Sequence, residues 1–199
     1  MWKLPPLLLP FVASAQIVCS LGSGASSYKS GSDQRPTADA MELAGRVNTA
    51  LKTICATNCP TVALFRNPTA PNAMLIAESG KAKLVYAPQF FAAAYESQGD
   101  GAILAVIAHE LGHALDDSLG AVWVKSSWPP EVRADSWAAC ALARMDLSAS
   151  DLEAAITALA KYPPPVQTNW TERFAGMRAG YTQCGGDASK LDKLSARLK

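Results

Sequence analysis

Histidine is scarce in this chain. There are two in 199 residues, His109 and His113, and both fall within the single stretch AVIAHELGHALDD. That scarcity excludes any site built on three histidines. It also counts against a Cys/His zinc module, because no imidazole is spare to join C-x₃-C at Cys55 and Cys59. An excess of one charge is missing too. The net charge of +1 supplies neither a basic field for nucleic acid nor an acidic tail. No apolar run approaches the roughly 20 residues that span a bilayer, and Pro5, Pro6 and Pro10 interrupt the best candidate. There is no internal repeat. Length therefore points to one domain plus tails.

The N-terminus, MWKLPPLLLPFVASAQ, has the layout of a secretory leader. Lys3 is the basic residue, Leu4 to Val12 the short apolar run, and Ala13-Ser14-Ala15 the small-residue cleavage site. The expected order is a signal peptide over 1–25, cut between Ala15 and Ala25, then a Ser/Gly-rich linker over 26–37. A globular domain over 38–186 and a tail helix over 187–199 complete it. A lipid anchor at Cys19 is disfavoured, because Gln16 stands where a lipobox calls for Leu. The protein is thus expected to be exported, periplasmic or secreted, with no membrane span in the mature chain. Four cysteines beyond Cys19 allow three pairings, and proximity favours Cys55–Cys59 with Cys140–Cys184.

Within the domain, Met41, Ala44, Val47, Leu51 and Ile54 recur at helical spacing. TVALFR, AMLIAE and AKLVYA read as short strands separated by turn-forming residues, which predicts a small antiparallel sheet. PQFFAAAYE begins a helix, and a longer one starts near Asp100. Further helices enter through Pro129-Pro130, through Ser148 with Asp151 three residues on, and through TNWTERF. The tail carries Leu191, Leu194 and Leu198 at helical spacing. The fold class is α+β.

His109-Glu110-Leu111-Gly112-His113 is H-E-x-x-H. Residues four apart share a helix face, so both imidazoles can reach one metal ion, while Glu110 stands beside it as a base. Burying two histidines and a glutamate without a cation would be costly in unpaired polar groups. Zinc suits this donor set, and a catalytic zinc needs a third protein ligand and an open position. Since no histidine remains, an acid or a cysteine must serve. Glu131, with Asp135 four residues later on the same face, is the candidate pair: one to ligate, one to orient a histidine ring.

HELGH followed by EVRAD resembles the gluzincin metallopeptidases, and most closely the HtpX and CAAX-prenyl-protease-like family, whose pattern is H-E-x-x-H then E-x-x-x-D. The resemblance covers roughly residues 80–184. It implies a zincin-like fold, with the sheet packed on the active-site helix and further helices C-terminal. One Zn²⁺ would be held by His109, His113 and Glu131, with Glu110 as base and Asp135 behind a histidine. It also implies cleavage of peptide or unfolded-protein substrates, and an edge strand, AKLVYA, offered to an extended substrate. The family's C-terminal His-Pro element is absent. Arg173 and Tyr181 are the candidates left for stabilising the oxyanion. Two rival functions are a catalytically silent zinc-containing binding or quality-control module and a secreted effector protease.

Overall fold

A computed structural model of the chain describes residues 16–20, 27–78, 81–162 and 169–198, with backbone alone for 16–20 and Glu78. Of the expected leader, residues 1–15 and 21–25 lie outside the described residues. The remainder, Gln16–Ser20, forms strand β1. Helix α1 (Ala38–Cys55) follows, then β2 (Val62–Arg66), β3 (Ala73–Glu78) and β4 (Lys81–Tyr86). Five helices complete the chain: α2 (Pro88–Ser118), α3 (Pro130–Arg144), α4 (Ala149–Lys161), α5 (Trp170–Gln183) and α6 (Ala188–Arg197). The class is α+β, as composition and pattern predict.

The sheet is mixed, which corrects the expected small antiparallel sheet. Its order is β1-β3-β4-β2, with β3 antiparallel to both β1 and β4, and β2 parallel to β4. Turn residues mark where a chain reverses, not which edge the next strand joins. NPTAPN carries the chain from β2 past β4 to β3, and backbone bonds Asn67 N–H to Tyr86 O and Ala87 N–H to Asn72 O fasten that crossing to the end of β4. A second correction follows. AKLVYA is an interior strand flanked by β3 and β2, so it has no free edge to offer a substrate.

The stretch expected as a flexible linker is pinned where it is described. Asp33 accepts from Lys83 Nζ at 2.8 Å and from Asn67 Nδ2 at 2.8 Å, and Gln34 bridges Arg66. Thr37 then caps α1, its side chain accepting from the Ala40 N–H. The buried stripe of α1 is Ala40, Leu43, Val47, Ala50 and Leu51, rotated from the expected one so that Met41 lies outside.

The expected break between the two helices after Pro88 falls at Gly99, whose φ of 64° suits glycine. Beyond it, α2 is buried nearly all round, which makes it the central helix of the core. It packs on α3 and α4, and α3 in turn packs on α5. Ser148 caps α4 by accepting from the Asp151 N–H, and the tail helix docks through Leu191 and Leu194. Both expected disulfides are present: Cys55–Cys59 closes the end of α1, and Cys140–Cys184 ties α3 to the end of α5. Among the described residues no helix is long and apolar enough to cross a membrane.

Gly112 sets the distance between α2 and α3. A Cβ there would lie 2.5 Å from the Ala134 carbonyl oxygen, so only glycine lets the two backbones meet this closely. Gly112→Ala is expected to force α3 outward and to cost about 1–3 kcal/mol of stability by urea denaturation, despite alanine's better helix propensity. A stabilised variant would show that the contact has room to yield.

Candidate metal centre

The close contact at Gly112 brings the N-terminal turn of α3 against the middle of α2. His109 and His113 sit one turn apart on the α2 face turned to α3, with ring nitrogens Nε2 and Nε2 3.3 Å from each other. The Glu131 carboxylate, in the first turn of α3, places Oε2 3.1 Å from His109 Nε2 and 3.5 Å from His113 Nε2. All three groups are buried: His109 is fully enclosed, and His113 and Glu131 are 4% and 7% exposed. These three residues can hold a metal ion. Tetrahedral ligand atoms about 2.0–2.2 Å from one ion stand roughly 3.3–3.6 Å apart, and the separations here are 3.1, 3.3 and 3.5 Å.

Proton placement makes the case sharper. Asp135, one turn after Glu131, lies with Oδ1 2.9 Å from His109 Nδ1. The carboxylate can only accept, so Nδ1 carries the hydrogen, and neutral His109 presents a bare lone pair at Nε2. That lone pair points at the Glu131 carboxylate oxygen, another acceptor. Neutral His113 has one N–H to share, and it cannot satisfy both. Acceptors converge on a buried point, an arrangement that a metal cation or an added proton resolves.

Electrostatics follow the same geometry. Burial alone would raise the Glu131 carboxyl. When the two rings take up protons, hydrogen bonds and charge from His109 and His113 outweigh it and hold this group well below its ordinary value of 4.5. Burial would also raise Asp135, but the Arg173 guanidinium and the His109 bond bring it below 3.8. Glu110 moves the other way. Its complete burial pushes the carboxyl up, and the two histidines offset this only in part. Both Glu110 oxygens lack a hydrogen-bond partner. The Leu75 backbone N–H of β3 reaches far enough to favour the charged form, as the weakest of the influences on it, but makes no well-formed bond. A buried, unpartnered carboxylate next to a metal-ligand cluster is poised to take a proton.

The residues nominated for the oxyanion lie elsewhere. Arg173 is buried, but its fork is directed at Asp135, with Nε 2.6 Å from Oδ2 and Nη2 3.0 Å from Oδ1. It acts behind His109, through Asp135. Tyr181 packs at the end of α5 against Gly186, and Asp187 is the charge that raises its hydroxyl after burial. No described hydrogen bond joins Tyr181 to the cluster. Two contributors carry no sequence signal. The Leu75 N–H is a backbone group and could be any residue's. Arg133 donates to Asp116 Oδ2 and to the Trp128 carbonyl, both at 2.6 Å, tying the end of α2 and the following loop to α3.

Comparison with protein-family models, with curated proteins and with solved structures gave no match. The geometry above therefore stands without a relative beside it.

Arg173→Met is expected to cost about 3–5 kcal/mol at neutral pH in the metal-free protein, because it leaves the Asp135 charge buried without its guanidinium. Asp135 and Glu131 are both lowered by folding, so the stability they contribute is present above 3.8 and 4.5 and is lost as pH falls through the folded values. Parent stability should decline from about pH 4.5 downward, and the gap to Arg173→Met should narrow with it. A gap that stays constant in acid would assign the loss to packing.

Proposed function

We propose that this chain is a zinc-dependent peptidase that hydrolyses peptide bonds in exported or envelope proteins, of the gluzincin kind that its HELGH and EVRAD motifs resemble. The observation that carries the reading is the convergence of His109, His113 and Glu131 on one buried point, with the unpartnered Glu110 carboxylate beside it. Two imidazoles and a carboxylate are the donor set of a catalytic zinc, and they leave the fourth position to water or substrate. Bound there, zinc would polarise the scissile carbonyl and lower the pKa of water from about 15.7 towards 7.

The chain's own groups supply the rest. Glu110 accepts the proton of the attacking water and returns it to the departing amine. Its raised affinity for that proton, which burial produces, suits the second half of the task. Asp135 keeps His109 in the tautomer that leaves Nε2 free, and Arg173 keeps Asp135 charged and in place. The leader-like N-terminus and the two disulfides support export, since such bonds persist in oxidising compartments.

One observation favours a second reading. Arg173 is committed to Asp135, and no described hydrogen bond joins Tyr181 to the cluster, so neither is offered to a developing oxyanion. A catalytically silent zinc-containing binding or quality-control module would need no such donor. Against it, a purely structural site needs no base, and Glu110 is intact.

The deciding experiment offers a diverse peptide mixture to the zinc-loaded protein and to Glu110→Gln. The amide preserves shape and removes the base. Cuts made by the parent should fall by about 10²-fold or more in the variant and disappear when the metal is removed. Retained zinc with no cleavage by either protein would shift the reading to the silent module.

A further inference from the structure

The back of α2 borders a cavity. Ile107, Leu111 and Leu115 follow one another at four-residue spacing, and His109 and His113 stand two residues on from the first two, about 200° round the helix. On the face away from the candidate metal centre, α1 and β2 join α2 to enclose a volume of about 820 Å³. Small-molecule sites occupy ~300–1,000 Å³. Leu84, Ile107 and Leu115 form the floor, while Leu111, Val62 and Leu64 are only partly covered by the protein itself. The charge around the cavity has one sign. Arg35 and Lys52 line it, both exposed, and no Asp or Glu does. Among the described residues neither cation makes an ion pair or a side-chain hydrogen bond.

We propose that this cavity binds a single-chain amphipathic anion: an unbranched acyl tail against Leu111, Val62 and Leu64, with a carboxylate or phosphate head on Arg35 and Lys52. Three observations carry it. The tail would leave water for apolar walls that the fold leaves uncovered. The head would give two unpaired cations a charged acceptor, whereas a neutral lipid would leave them unused and a cationic one would be repelled. Helix α1 is also kept thin at this place. Gly45 sits in its middle and lines the cavity, and a Cβ there would meet nothing within 4 Å. Glycine inside a helix is less favourable than alanine, and here no close approach demands it, so the space stays open at a cost to the helix. Met41, one turn earlier, is exposed at the same cavity. The inference is independent of the peptidase reading, because none of these residues is a candidate ligand or base.

The test titrates the full chain, below micellar concentrations, with cis-parinaric acid, a fatty acid whose polyene tail fluoresces on leaving water. Saturable binding of one probe per chain is expected. Oleate and oleoyl lysophosphatidic acid should displace it, and the one effective at lower concentration identifies the head as carboxylate or phosphate. Oleyl alcohol should compete about fivefold less well than oleate, having no charge for Arg35 and Lys52, and Arg35→Gln/Lys52→Gln should erase that preference. Gly45→Trp places its ring in open space and should leave the helical circular dichroism unchanged. By taking the room of about two methylenes, it should weaken the probe about tenfold. No saturable binding, equal competition by oleate and oleyl alcohol, or probe affinity unchanged in both variants would each overturn the proposal. So would a dimer, seen by light scattering, that Gly45→Trp dissociates and oleate does not, since the occupant would then be a second copy of the chain.

Discussion

The Asp135 carboxylate is held between two partners that come from different helices. Arg173 of α5 grips it from one side through two hydrogen bonds, and His109 of α2 gives it a ring N–H from the other. Because Asp135 must accept, His109 must donate through Nδ1, and its Nε2 is left as a lone pair facing Glu131 and His113. Three helices thus meet at one charge, and the protonation state of the cluster follows from it. Replacing the group by a neutral acceptor would loosen the constraint on which ring nitrogen carries hydrogen, and with it the alignment of the whole site.

This arrangement would be unfavourable if it were only a way of packing helices. A buried ion pair rarely repays its desolvation against a hydrophobic alternative of the same shape. Here the charges lie inside an alanine-rich interior where Ala105, Ala108, Ala134 and Ala138 are closed to solvent. Apolar side chains would fit such a place at less cost. Their absence is the physical reason to assign the polar cluster a function. The surrounding architecture also favours precision. The candidate ligands lie on α2 and α3 rather than on loops, Gly112 lets those helices touch, and Cys140–Cys184 fastens α3 to the helix that carries Arg173.

Much of the helical layer was legible beforehand. Helix entries at Thr37, Pro88, Pro130 and Ser148 follow from local capping chemistry, which needs no tertiary partner. Both disulfides followed from spacing in the chain. The sheet was harder. AKLVYA reads as a strand in isolation, but whether it lies at an edge depends on where β2 docks, a contact between segments that a turn motif does not encode. The residues from Ser27 to Thr37 look like a tether by composition, yet Asp33 finds Lys83, fifty positions away, and Asn67, and is anchored by both.

H-E-x-x-H with E-x-x-x-D eighteen residues further on was sufficient to nominate the group His109, His113 and Glu131 that the fold brings together, with Glu110 and Asp135 beside it. Helical periodicity alone puts His109 beside His113, and Glu131 on the same face as Asp135. Only the tertiary structure decided how those two pairs face one another, because that depends on the closeness allowed at Gly112. It also turned Arg173 from a candidate for the reacting side into the support of Asp135, a pairing across 38 residues that no local pattern contains. The same holds for the order of the sheet: β1 and β4 both pair with β3 through backbone groups, which carry no side-chain signature, so their arrangement emerges only when the sheet is assembled.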